Sequence, residues 1–227
     1  MSIEVREKKR FYYALFFPVI ICFIVLLVFV FEHVMGLDFG DGGVAPREPL
    51  SLFNIFTMPF IHADWGHLFN NLVSFLVLST ALFYFYSEIA GKVLFWSLVV
   101  SGLLLWIIGR DAVHIGMSGM VYAVSFFLTF SGIIRKHIPL IAMALVVVFL
   151  YGNNVWHLFP WQKFDPVSWE GHLAGAVAGV ALAFVYRKDG PQKPQPSWKD
   201  EDEYEDDEGA YWNDKEEDER NEMHPEA

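Results

Sequence analysis

The chain has 227 residues, of which 54% are hydrophobic, 17% aromatic and 19% charged. Charged residues fall below the roughly one quarter usual in soluble domains and the apolar residues run in long blocks, which excludes an ordinary water-soluble globule and points to several membrane spans. The net charge of −11 is local: residues 189–227 carry 16 Asp/Glu against 4 Lys/Arg, so the rest is near neutral. An embedded, anionic chain also excludes nucleic-acid binding.

Residues 1–10 form a basic N-terminus with Arg6, Lys8, Lys9 and Arg10, and Phe11–Phe31 follows without a charge. That run is too long for a signal-peptide core and precedes no small-residue cleavage site, so it is read as an uncleaved first span. Five more spans are expected at 67–86, 93–109, 114–134, 138–154 and 169–186. Pro139 predicts a tilted or irregular start to the fifth. The loop 32–66 is too long for a simple connector and is expected to carry structure of its own. The tail 189–227, opening on Pro191, Pro194 and Pro196 and then strongly acidic, reads as a disordered extension. The expected organisation is a basic N-terminus (1–10), a six-span core (11–188) and an acidic tail (189–227), an all-α polytopic membrane protein. With both termini cytoplasmic, nine Lys/Arg lie inside near helix ends against three outside (Arg47, Arg110 and Lys163), in accord with the positive-inside rule.

Polar residues in hydrocarbon are costly, so their positions carry information. The second span holds His67, Asn70 and Asn71; the fourth holds His114, Ser118 and Tyr122; the sixth holds His172. At the helical rise per residue, Asn71, Ser118 and His172 lie about 25, 25 and 22 Å above the same boundary on three parallel helices. A hydroxyl becomes a nucleophile where an imidazole can take its proton, which pairs Ser118 with His172 if spans four and six pack closely. Gly171, Gly175, Gly179 and Ala183 recur every four residues and allow that approach, with Gly119 opposite. His67 and Asn71 share a helix face and can both donate, as an oxyanion requires. Tyr122, one turn from Ser118, is placed to stack on or orient His172. No acidic residue is expected at this depth, so the reading is a Ser-His dyad. The single cysteine, Cys22, excludes a disulfide framework, and no His-Glu-x-x-His is present, which leaves an intramembrane metalloprotease without support.

These motifs together (His62-x4-His67-x3-Asn71, Gly116-Met117-Ser118-Gly119-x2-Tyr122 and Gly171-His172-x2-Gly175-x3-Gly179) resemble the rhomboid intramembrane serine proteases, over about residues 10–188. The resemblance implies a six-helix rhomboid-like bundle with Ser118 as nucleophile and His172 as general base, then acid. It implies an oxyanion hole of His67, Asn71 and the Ser118 N–H, with Tyr122 beside His172. Gly116 and Gly119 would shape the serine turn, Gly175 and Gly179 would admit span six, and His62 would be structural. The chain departs from the family in lacking a Trp-Arg pair in the first loop, where Arg47 follows Pro46, and in carrying Gly171 where Ala is common.

The expected activity is cleavage of transmembrane protein substrates in the lipid bilayer of a bacterial cytoplasmic membrane, with no cofactor and no metal. One rival is a catalytically silent rhomboid-like protein that binds membrane clients. Another is a transporter, which the absence of mid-span Asp, Glu, Lys and Arg counts against.

Overall fold

A computed structural model describes residues 2–159 and 168–194. Within them are six α-helices: α1 (Ile3–Met35), α2 (Trp65–Phe85), α3 (Ala90–Ile108), α4 (Ser118–Arg135), α5 (Ile138–Tyr151) and α6 (Trp169–Val185). Each coincides with one predicted apolar run. Helices α1 to α4 are long and apolar enough to cross a membrane, whereas α5 and α6 are shorter, at 14 and 17 residues. α1 outruns its apolar segment because Ser2 caps it, accepting from the Val5 N–H at 3.4 Å, and Gly36 ends it in the left-handed region.

Two helix starts correct the sequence reading. Pro139 falls in the first turn of α5, where a missing N–H costs nothing, so that helix begins regularly; it then ends at Tyr151 and tightens into a 3-10 turn over Gly152–Leu158. The fourth helix starts at Ser118, not 114, because Gly116 adopts a φ of 98° and breaks the backbone. His114 therefore lies in a loop, paired with Val44. The expected disorder of the tail concerns residues that lie, from 195 onward, outside the described residues.

α4 is the central helix, packed against α2, α3, α5 and most closely α6. Phe75, Leu78, Leu82, Phe127 and Leu128 fill the core between α2 and α4. Large apolar side chains such as Phe16, Phe23, Phe69, Phe95 and Phe149 face outward, as a chain solvated by lipid requires. The α4–α6 contact is made by backbone. A Cβ on Gly175 would run into the Gly119 carbonyl, and one on Gly179 into that of Ala123.

The first loop has its expected structure: three short 3-10 turns at Gly40–Gly42, Pro49–Ile55 and Met58–Phe60, and the antiparallel Val44–His114 bridge. Without a Trp-Arg pair, it is anchored by Arg47 to the end of α3. The Arg47 guanidinium donates to the Gly109 carbonyl at 2.7 Å and pairs with Asp111, while Trp106 Nε1 donates to the Glu48 carbonyl at 3.0 Å.

The backbone contact yields a stability test. Gly179→Ala is expected to cost about 1–3 kcal/mol by overpacking, while Gly91→Ala, where an added Cβ meets nothing within 4 Å, stays within about 0.5 kcal/mol of the parent. Equilibrium unfolding of the two variants in detergent micelles checks this.

Candidate active site

Three helix beginnings build the site. Asp64 caps α2, its Oδ1 accepting from the His67 N–H at 2.9 Å, and this fixes the turn that bears His67 and, four residues on, Asn71. Asn71 is buried, 6% exposed, and its Nδ2 has no hydrogen-bond acceptor among the described residues. The turn carrying Ser118 comes up against both side chains. A Cβ at Gly116 would lie 2.7 Å from His67 Nε2 and 3.4 Å from Asn71 Nδ2. Glycine is required there twice over, by its positive φ and by this approach.

Ser118 is the first residue of α4 and is half-buried. The first intrahelical bond runs from the Val121 N–H to the Met117 carbonyl, so the leading N–H groups, that of Ser118 included, have no partner within the helix. They also form the positive end of the helix dipole.

His172 lies in the first turn of α6 and is buried, 7% exposed. Its ring stacks on Tyr122 with centroids 4.2 Å apart and planes 12° apart. Its Nδ1 is 3.1 Å from the His157 carbonyl oxygen. A carbonyl can only accept, so Nδ1 carries the proton and Nε2 keeps its lone pair. Gly119 packs on Gly171, an added Cβ there meeting the Gly171 carbonyl oxygen at 3.4 Å. Ser118 and His172 thus flank the same helix contact. Among the described residues Ser118 Oγ makes no hydrogen bond; the two groups are neighbours across the contact and not a bonded pair.

The structure therefore brings together Ser118, His172, Tyr122, His67, Asn71, Gly116, Gly119 and Gly175. Gly179 lies one turn further along the α4–α6 contact. His62 sits behind the group, 2% exposed, its ring 4.9 Å from that of His67. Three features escaped the sequence reading. The His157 carbonyl is invisible in a sequence. Ser168, which caps α6, was legible as a hydroxyl three residues before Gly171. Glu170 is a buried carboxylate two residues from His172, paired with Arg110 at 3.7 Å, although no acid was expected so near.

Residues 49–189 match the Rhomboid domain family. An uncharacterized protein of Mycobacterium tuberculosis is 33% identical over 181 residues, 73% of each chain. One of Mycobacterium leprae is 28% identical over 199 residues, 80% of this chain and 76% of the relative. Rhomboid-related protein 1 of Caenorhabditis elegans is 30% identical over 153 residues, 62% of this chain and 42% of that one. With its helical bundle and membrane-length apolar helices, the chain is an integral, multi-pass membrane protein. It belongs to the rhomboid family.

Loss of hydration, with the neighbouring His67 adding to it, holds His62 down at about 4. The unfolded chain takes up this proton near pH 6.5 and the folded chain does not, so stability is full above pH 6.5 and falls as the pH drops toward 4. The expected loss is about 3 kcal/mol across that window. Unfolding of wild type and His62→Phe across pH 4–7 checks it, the variant being expected to show the flatter profile.

Proposed function

We propose that this protein is an intramembrane serine endopeptidase that cleaves transmembrane segments of membrane proteins through a Ser118–His172 dyad. The observation that carries the reading is the setting of His172. Tyr122 stacks on its ring and the His157 carbonyl sets its tautomer, which keeps the Nε2 lone pair for a proton acceptor, while Gly119, next to Ser118, packs on Gly171, next to His172. The carbonyl does the orienting that a carboxylate does in a triad, so no acid is required.

In this reading a substrate helix unwinds locally to expose a carbonyl, since an intact helix keeps its carbonyls bonded. Ser118 Oγ attacks that carbon as His172 Nε2 takes the hydroxyl proton. The negative charge that develops on the carbonyl oxygen meets the Asn71 amide, His67 Nε2 and the Ser118 N–H at the start of α4. The Asn71 Nδ2 fits this role, being a buried donor without an acceptor among the described residues. His172 returns its proton to the leaving amine. Water then hydrolyses the acyl-enzyme by the same route, reaching Ser118 through its half-open face. We further propose the orientation given by the positive-inside rule, with both termini cytoplasmic in a bacterial inner membrane.

Reaction with a fluorophosphonate probe and cleavage of a reconstituted transmembrane substrate test this reading. Wild type is expected to be labelled and to cleave, and Ser118→Ala and His172→Ala to do neither. Asn71→Ala is expected to keep the fold and lose about 10²–10³ in turnover. Folded wild type that neither labels nor cleaves would overturn the proposal in favour of a client-binding role.

A further inference from the structure

His172 stands in the first turn of α6, where a helix frays most easily because its leading N–H groups lack carbonyl partners. Glycines at 171, 175 and 179 weaken it further. Two ties fasten this turn, and neither uses the reacting groups. In the first, Ser168 Oγ accepts from the Gly171 N–H at 3.1 Å and lies 2.7 Å from His114 Nδ1. The other ring nitrogen of His114, Nε2, is 3.2 Å from the Arg110 carbonyl oxygen. That carbonyl can only accept, so Nε2 holds the proton and Nδ1 accepts from the Ser168 hydroxyl. Donation runs one way: Gly171 N–H to Ser168, Ser168 O–H to His114, His114 Nε2–H to Arg110. In the second tie, the buried Glu170 carboxylate pairs with the Arg110 guanidinium at 3.7 Å.

Both ties end in the loop that delivers the serine. His114 lies four residues before Ser118, and Ser168 four before His172. His114 is itself held by a pair of 2.9 Å backbone hydrogen bonds with Val44 of the first loop. We infer that Ser168 and His114 are positioning residues for His172. Their hydrogen bond fixes the start of α6 against the α3–α4 loop and so sets the spacing between base and nucleophile. This inference rests on the dyad reading and concerns residues that never touch substrate.

The test uses the full chain in detergent micelles. Wild type, Ser168→Ala, Ser168→Thr and His114→Phe are compared for the second-order rate of fluorophosphonate labelling and for amide hydrogen exchange at the start of α6. Ser168→Ala and His114→Phe are expected to label about 10- to 100-fold more slowly at equal folded fraction, as a displaced base does. The exchange of the Gly171 and His172 amides should quicken in Ser168→Ala. Ser168→Thr keeps the hydroxyl and is expected to restore both readings. Labelling of Ser168→Ala and His114→Phe at the wild-type rate would overturn the inference. If Ser168→Ala does not fold, His114→Phe decides between the same two outcomes, because it leaves the cap on Gly171 in place. If folded wild type is not labelled at all, the dyad reading fails, and exchange in His114→Phe alone decides on the tie: faster exchange of the Gly171 and His172 amides upholds it, and unchanged exchange overturns it.

Discussion

Between α4 and α6 the chain brings two helix backbones into direct contact, and the placement of Ser118 beside His172 depends on that. Lipid is as apolar as leucine, so helices in a membrane gain nothing by hiding apolar surface from each other and must associate through packing and hydrogen bonds. Here the packing partners are carbonyl groups: Gly119 meets Gly175, and one turn on Ala123 meets Gly179. Because both contacts advance by four residues, they fix rotation and register together. Residues beside the contact on one helix then have set neighbours on the other. The stacking of Tyr122 on His172 is a consequence of this register. A bulkier stripe would hold the helices apart and leave the hydroxyl and the imidazole out of reach of each other.

In the proposed reaction a second constraint is that charge must develop in a medium that solvates it poorly. The chain meets it with helix ends instead of charged side chains. His67 is in the first turn of α2, Ser118 opens α4, and His172 is in the first turn of α6. The start of α4 presents leading N–H groups without a partner inside the helix, Asp64 and Ser168 cap the other two, and all three carry the positive end of a dipole. A start of α4 further back in the chain would satisfy the Ser118 N–H that the proposed chemistry uses.

Sequence patterning disclosed what depends on composition and period. The six apolar runs, the small-residue stripe on α6 and the shared face of His67 and Asn71 were all legible, because burial and helical geometry act on them directly. It erred where backbone geometry overrode composition. Apolar content alone carried the fourth span back to 114, whereas the positive φ of Gly116 stops the helix at Ser118 and leaves His114 to bridge Val44. It judged Pro139 by its usual effect inside a helix, although its place in the first turn of α5 makes it harmless. The His157 carbonyl is not encoded by residue type, and the Arg110–Glu170 pair joins residues 60 apart in the chain. Arg47 anchors the first loop through carbonyls at the end of α3, a contact that has no motif.

Polar groups are treated differently at the two ends of the bundle. Around the site Asn71 and Glu170 each bury one side-chain atom that has no partner among the described residues, at about 1–3 kcal/mol apiece. At the other end Arg135 uses its whole fork: Nε donates to Ser131 Oγ at 2.8 Å, the two amino groups to the carbonyls of Pro191 and Tyr186 at 2.8 and 2.6 Å, and the guanidinium lies over the Tyr86 ring. A buried guanidinium is tolerable only when so completely bonded. That bonding ties the end of α4 to the segment that follows α6. The same two helices are thus clamped at one end by Arg135 and lie beside these unpartnered side chains at the other. The register of α4 against α6 is fixed at the glycine contact and secured again at the far end by Arg135.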